Sequence, residues 1–350
     1  MFSLSKKTKG FFIEINAQTA LIARTSSPEA PLAIEDIKEV PIGDEPAVQA
    51  AVKELVGKKG SSGYMHARCG IYPPRRFVRR FTLDLKRVKE PGYFMEVCAQ
   101  QFRMETDKNA IVVLNSTDGT DYDLDAGKAV TQKEVVFVGG NNSELLAAQE
   151  RLLALGVYPE GLELGTLATL GSLINYHAFA QLKSPTLVLE IDPDNTQSFI
   201  ITADGLDATR AIPQGLEAMI PVVQKELNLK DEESARKLFF SNTFDFTNMG
   251  VMLVKKLIKE LQSLIGFYEV QTGQSIGQVV CTQIPPKLAW LSNIIAKELG
   301  VGVLKLDLAD WLKSHQITFT SPPASSSLDP RWLGLLSLMV FHDAVAATKK

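Results

Sequence analysis

Two stretches of the chain share one pattern of apolar and polar positions. Phe11-Phe12-Ile13-Glu14-Ile15 and Leu187-Val188-Leu189-Glu190-Ile191 are apolar runs interrupted by a single glutamate, and each is followed by a short polar turn. Apolar runs of this length bounded by turn residues predict strands. After each turn the β pattern resumes, over residues 19–23 in the first copy and 196–202 in the second, the latter ending at Asp204-Gly205. Two strand-turn-strand copies so far apart imply two related lobes. Apolar residues at helical spacing predict helices over 47–56, 91–102, 144–155, 166–181, 216–227, 232–239 and 251–266. Strands and helices alternate, so the class is α/β.

The pattern also divides the chain. Residues 77–140 interrupt the first lobe with a helix and two strands of their own, at 110–114 and 134–138, and read as an inserted subdomain. The expected organisation is a first lobe from 1–76 and 141–184, the insertion at 77–140 and a second lobe at 185–313. A Ser- and Pro-rich linker at 314–330 then leads to a terminal helix within 331–350, predicted over 332–346.

Composition narrows the class without pointing to a partner. With 350 residues, 45% hydrophobic and 22% charged, the chain is long enough for two folded lobes and is neither disordered nor polytopic. A net charge of -3 does not advertise nucleic acid. Cys69, Cys98 and Cys281 are too widely spaced for a CxxC motif and suit a reducing cytoplasm. Lys6, Lys7 and Lys9 precede an apolar run that Glu14 and Asn16 interrupt, so this is a first strand rather than a signal peptide. The apolar segment 332–341 is well short of the about 20 residues that cross a bilayer and reads as a packed helix.

Few residues suggest chemistry on their own. Gly57-Lys58-Lys59-Gly60-Ser61-Ser62-Gly63 has the composition of a phosphate loop but not its spacing. Gly139-Gly140-Asn141-Asn142 lies between a strand and a helix, where backbone amides could hold an anion or simply make a tight turn. His66, His177, His315 and His342 form no pair at metal-ligand spacing, so no metal site is expected. No GxSxG elbow and no nucleophile context for a cysteine is present. Arg75, Arg76, Arg79 and Arg80 alternate with Phe77, Val78 and Phe81. Such a cluster fits an acidic partner or an anionic membrane surface, but arginine stems covering a strand edge, which need no partner, are the stronger reading.

The order of these features resembles the PilM family, FtsA-like members of the actin-like superfamily that serve type IV pilus assembly. The resemblance runs along nearly the whole chain. It is densest over 185–311, through the Ala208-Thr209-Arg210-Ala211-Ile212-Pro213-Gln214-Gly215 segment, the helical block to Phe239, the long helix ending near Tyr268 and residues 278–300. Residues 144–170 match the family's helix, "LGV-P" turn and following helix. The resemblance implies a two-lobed actin-like fold, built as a duplicated ribonuclease H-like unit with the insertion. It also implies hairpins that bind ATP and Mg²⁺ through Asp-x-Gly turns.

The chain departs from that pattern at each nucleotide element. The first hairpin reads Glu14-Ile15-Asn16-Ala17-Gln18 and the second Glu190-Ile191-Asp192-Pro193-Asp194-Asn195-Thr196, so neither turn keeps its glycine. Asp192 and Asp194 add negative charge where phosphates would sit, and Pro193 has no N–H to offer. The family's Gly-Gly turn falls on Cys281-Thr282-Gln283-Ile284-Pro285-Pro286, and Arg236 and Phe239 occupy the places of the nucleoside-flanking glutamate and lysine. The nucleotide-site equivalents are thus Glu14, Asn16, Gln18, Glu190, Asp192, Thr196, Arg236 and Gln283. Expected from the resemblance is a non-catalytic cytoplasmic scaffold, peripheral to the inner membrane. Its partner would be a PilN-like membrane protein whose short cytoplasmic peptide lies beside the 77–140 insertion, with the arginine cluster at its border and self-association open. The alternatives are an active or nucleotide-regulated actin-like ATPase, which the acidic Glu14 and Glu190 would serve, and a sugar or acetate kinase of the same superfamily, which the chain length disfavours.

Overall fold

The computed structural model describes residues 9–57, 63–117, 119–122, 133–241, 243–321 and 328–340. The chain divides into two compact units, one of Met1–Leu173, Asp307–Leu328 and Trp332–Lys350, the other of Ile174–Leu306 and Asp329–Arg331. In chain order the first part contains β1 (Gly10–Ile15), β2 (Thr19–Thr25), β3 (Leu32–Pro41), α1 (Glu45–Val56), β4 (Met65–Ile71), β5 (Phe77–Thr82), α2 (Tyr93–Gln100), β6 (Asn109–Asn115), β7 (Glu134–Asn141), α3 (Asn142–Ala154), β8 (Val157–Leu164) and α4 (Gly165–Phe179). There follow β9 (Thr186–Ile191), β10 (Thr196–Thr202), β11 (Gly205–Ile212), α5 (Ile220–Glu226), α6 (Glu232–Phe239), α7 (Gly250–Thr272), β12 (Gln278–Cys281), α8 (Trp290–Leu299) and β13 (Gly302–Val303). Last come α9 (Leu308–Ser314), β14 (Ile317–Phe319) and α10 (Leu333–Val340).

The repeated residue pattern is a repeated topology. One unit holds a six-stranded sheet in the order β14-β3-β2-β1-β4-β8, the other a five-stranded sheet in the order β11-β10-β9-β12-β13. Within them β3-β2-β1-β4 and β11-β10-β9-β12 are the same arrangement: a three-stranded antiparallel meander whose first strand also pairs in parallel with a strand reached by a helical crossover. A parallel neighbour cannot be reached by a tight turn. Accordingly α1 precedes β4, and α5, α6 and α7 precede β12.

In the first unit the sheet is covered on both faces. Ile13, Ile22 and Cys69 pack with Val48, Val52 and Leu55 of α1 and Leu152 of α3. On the other side α10 lies against β1, β2 and β4 with all eight of its residues buried. Burial on both faces explains why β1 reads as a continuous apolar run. A separate three-stranded antiparallel sheet, β5-β7-β6, carries Phe77, Val135 and Phe137 against Tyr93, Val97 and Cys98 of α2. It is formed by the region expected to be inserted. In the second unit α7 supplies Leu253, Val254, Leu257, Leu261 and Leu264 to a core shared with β9, β12 and α8.

Several boundaries differ from the sequence reading, each for a local reason. The helix predicted to stop at Gly266 continues to Thr272. A glycine inside a helix costs about 1 kcal/mol without ending it. The end comes at Gly273, whose φ of 70° suits the left-handed cap and whose N–H donates to Glu269 O at 2.8 Å. The single helix predicted over 216–227 is a tight turn, Leu216–Met219, followed by α5, because Pro221 fits only a first helical turn. β3 was hidden by the polar run Glu35-Asp36-Ile37-Lys38-Glu39 on a half-buried strand. The "LGV-P" turn is confined to Gly156, and Val157 already begins β8; Pro159 is tolerated there because β8 is an edge strand paired only with β4. Of the terminal helix, 341–346 lie outside the described residues, as do 58–62 of the lysine-glycine loop and 322–327 of the linker.

His177, near the end of α4, is buried, with Nε2 2.7 Å from Thr186 Oγ1 and Nδ1 lacking a hydrogen-bond partner among the described residues. Burial lowers its pKa below the usual 6.5. The fold therefore favours the neutral ring, and the stability it contributes is complete above pH 6.5 and is lost as pH falls below it. The loss is at most about 1.4 kcal/mol per pH unit. Thermal melts of wild type and His177→Gln should diverge in slope below pH 6.5, the variant declining less steeply.

Candidate functional site

Both hairpins that could receive phosphate are closed by their own chain. In the β1–β2 turn the carboxamide oxygen of Asn16 accepts from the N–H of Gln18 at 2.9 Å, the N–H of Thr19 at 2.8 Å and the Thr19 hydroxyl at 3.2 Å. An asparagine readily makes this bond to amides two and three residues ahead. Amides that a phosphate would need are thus held by a side chain. Glu14 lies two residues before, with 0% exposure. A Cβ at position 334 would stand 2.3 Å from Glu14 Oε2, so the carboxylate sits directly beneath the first turn of α10. Gln18 is half-buried and its carbonyl accepts the N–H of Ile42 at 2.8 Å.

The β9–β10 turn is closed differently. The Asp192 N–H donates to Asn195 O at 2.9 Å, closing the turn. The carbonyls of Asp192 and Pro193 accept the N–H groups of Leu216 and Glu217 at 3.0 and 2.8 Å. A Cβ at Gly215 would meet Pro193 O at 2.3 Å and Asp192 O at 2.4 Å, so only glycine allows this approach. The Thr196 hydroxyl donates to Gln214 O at 2.6 Å. Arg236, on α6, forms an ion pair with Glu217. The N–H groups of Asp192, Leu216 and Glu217 are therefore spent on peptide carbonyls, and with Asp192 and Asp194 in the turn the residues do not fit a phosphate cradle.

Glu190, Gln197 and Thr282 form a buried polar row at the carboxyl ends of β9 and β12. Glu190 pairs with Gln197 across the hairpin, and the Thr282 N–H donates to Leu189 O at 3.1 Å. Gln197 donates through Nε2 to Asn195 Oδ1 at 3.1 Å, while its Oε1 and the Thr282 Oγ1 have no hydrogen-bond partner among the described residues. Gln283 follows, half-buried. Gln197 and Thr282 were not singled out in the sequence. Counting back from a turn closed by Ile191 and Thr196 would have found Gln197 opposite Glu190. The sequence-predicted residues thus gather in two places: Glu14, Asn16 and Gln18 in one unit, and Glu190, Asp192, Thr196, Arg236 and Gln283 in the other.

The arginines do not make one patch. Glu144 accepts from the Arg75 backbone N–H at 2.8 Å and pairs with its guanidinium. Arg76 is buried, donates to Thr166 Oγ1 at 2.7 Å and lies over the Tyr72 ring at 5.2 Å. Arg80 pairs with Glu134 at 3.1 Å. Arg79 projects from β5 on the side of Phe77 and Phe81, its pKa lowered by burial, and pairs with no carboxylate among the described residues. The glycine-asparagine segment, open in the sequence to an anion or to a tight turn, is filled by its own chain as well. Asn141 caps α3 by accepting from the Ser143 N–H at 3.1 Å, and a Cβ at Gly139 would collide with Ala110 O at 2.0 Å. All three cysteines are buried free thiols, and burial pushes Cys69 and Cys281 up to about 12, which leaves them inert as nucleophiles at neutral pH. Among the described residues no group of three or more His, Cys, Asp or Glu side chains could hold a metal ion.

No protein-family model matches this sequence, and no curated protein does. Solved structures do match. A chain of a PilM–PilN type IV pilus biogenesis complex superposes with a TM-score of 0.65 at 16% identity, covering 95% of this chain and 98% of that one. A Bacteroides thetaiotaomicron protein with an actin-like ATPase fold matches at a TM-score of 0.44 and 11% identity over 87% of this chain and 94% of its own. MreB 5 of Spiroplasma citri, bound to AMPPNP, matches at 0.39 and 12% over 97% and 98%. The chain has the actin-like α/β fold, shared along almost its whole length with the PilM–PilN complex.

Proposed function

We propose that this protein is a PilM-like scaffold of type IV pilus assembly that docks a PilN-like membrane partner and does not turn over nucleotide. The full-length likeness to a chain of the PilM–PilN complex carries the first part. For the second, the support is the state of the hairpins: the amides of Gln18 and Thr19 go to Asn16, and those of Leu216 and Glu217 go to Asp192 and Pro193. A phosphate arriving at either turn would have to break bonds already made, and at the second would meet Asp192 and Asp194. The partner contributes a short cytoplasmic peptide beside the 77–140 insertion. Arg79 is the arginine there left to meet an acidic group. Membrane association then comes through the partner, in keeping with the absence, among the described residues, of a helix long and apolar enough to cross a bilayer.

Two titrations test the reading. Calorimetry with Mg²⁺-ATP should give no binding heat. Fluorescence anisotropy with the cytoplasmic N-terminal peptide of the PilN-like protein from the same genome should give saturable binding, weakened about tenfold or more by Arg79→Glu. The buried carboxylates of Glu14 and Glu190 favour the rival, a nucleotide-regulated ATPase. Micromolar Mg²⁺-ATP binding that is lost in a Glu14→Gln, Glu190→Gln variant would establish that rival and overturn the non-catalytic half.

A further inference from the structure

The solvent face of α7 carries large apolar side chains at both of its ends. A surface helix normally turns charged and polar residues outward. Here Phe267 is 63% and Val270 87% exposed near one end, and Val251 and Met252 are each 44% exposed at the other. Between them Lys255, Lys256 and Lys259 are exposed. At 100° per residue Met252, Lys259 and Val270 project in nearly the same direction, with Lys255, Lys256 and Phe267 close beside them. The 23 residues make a ridge about 35 Å long, apolar at both ends and basic in the middle.

Among the described residues no acidic side chain neutralises the ridge. Of the two glutamates on α7, Glu260 pairs with Arg210 at 2.6 Å and Glu269 accepts the Ile276 N–H at 3.2 Å. Among the described residues the three lysines pair with no carboxylate. A second copy is a poor occupant, since antiparallel pairing about Lys259 would set lysine against lysine. A partner helix in a groove is disfavoured too, because Val270 at 87% exposure has no wall beside it. A flat anionic bilayer supplies what the ridge lacks: headgroup charge for the lysines and acyl chains for Phe267, Val270 and Met252.

We propose that the outer face of α7 is a binding surface for anionic lipid. It acts beside, and does not depend on, docking through a partner protein. Lys255, Lys256 and Lys259 hold the headgroups while the apolar ends enter the interface, and added salt weakens the contact. The test is co-sedimentation of the full chain with phosphatidylcholine vesicles, with and without phosphatidylglycerol. Sedimentation should require the anionic lipid. It should fall about fivefold per lysine removed, thus about a hundredfold in Lys255→Gln, Lys256→Gln, Lys259→Gln, and be lost in Phe267→Ser, Val270→Ser. These side chains are exposed, so melting temperatures should match wild type; if the serine variant melts lower, the glutamine variant decides. Wild-type protein that ignores anionic vesicles, or a glutamine variant that binds them as wild type does, overturns the proposal. Binding to polyglutamate instead of vesicles, with the same lysine dependence, also overturns it and assigns the face to an acidic protein.

Discussion

Phe239→Ala should lower the stability of the second unit by about 4 kcal/mol, read as a fall in the urea midpoint with an unchanged slope. Phe239 is fully buried, and its ring centroid lies 5.1 Å from Phe240, 5.5 Å from Phe246 and 6.4 Å from Trp290, each approached edge-on. Phe246 in turn stacks on Trp290 at 6.0 Å, so the neighbours are pinned and cannot collapse into the vacated volume. A loss under about 1 kcal/mol would mean that the cluster repacks and that the ring is not structural. The prediction bears on function because the sequence reading expects a nucleoside-flanking residue within 233–239. Phe239 itself is a core residue.

Gly215→Ala should cost about 3 kcal/mol. The glycine is not needed for its dihedrals, since φ of −118° and ψ of −165° are open to any residue. Approach is the reason: an added methyl would lie 2.3 to 2.6 Å from Pro193 O, Asp192 O and Asn195 N, all backbone atoms. Moving them aside stretches the hydrogen bonds from Leu216 and Glu217 that close the turn. A depressed melting temperature together with faster amide exchange at Leu216 and Glu217 is the expected result. Melting and exchange both unchanged would show that the turn is looser than its contacts imply.

What the sequence made legible was local. Alternation, turn residues and the paired glutamates located both hairpins, and their separation revealed the duplication. Helix ends followed glycine where the helix had reached its cap, as at Gly57 and Gly273, and misled where it had not, at Gly266. The site was harder to read. Glycine loss at both turns was visible, but the substitute was not: that Asn16 would collect two amides, or that Gly215 would press on Pro193, depends on pairings set by tertiary structure. The partners of the arginine cluster were not legible for the same reason, since Glu144, Thr166 and Glu134 are remote in sequence from the guanidiniums they hold.

The placement of β14 and α10 has a consequence for biosynthesis. β14 pairs with β3 through Ile317 and Leu32, and α10 covers the face of β1 that carries Phe12 and Glu14. During translation the strands made first must therefore wait for some 300 further residues, on the order of tens of seconds at ordinary elongation rates, before that face is shielded. Over the same interval residues 174–306 emerge whole and can condense independently. A nascent chain stalled before Leu333 should thus carry one finished unit and one with an open apolar sheet, a natural client for ribosome-associated chaperones.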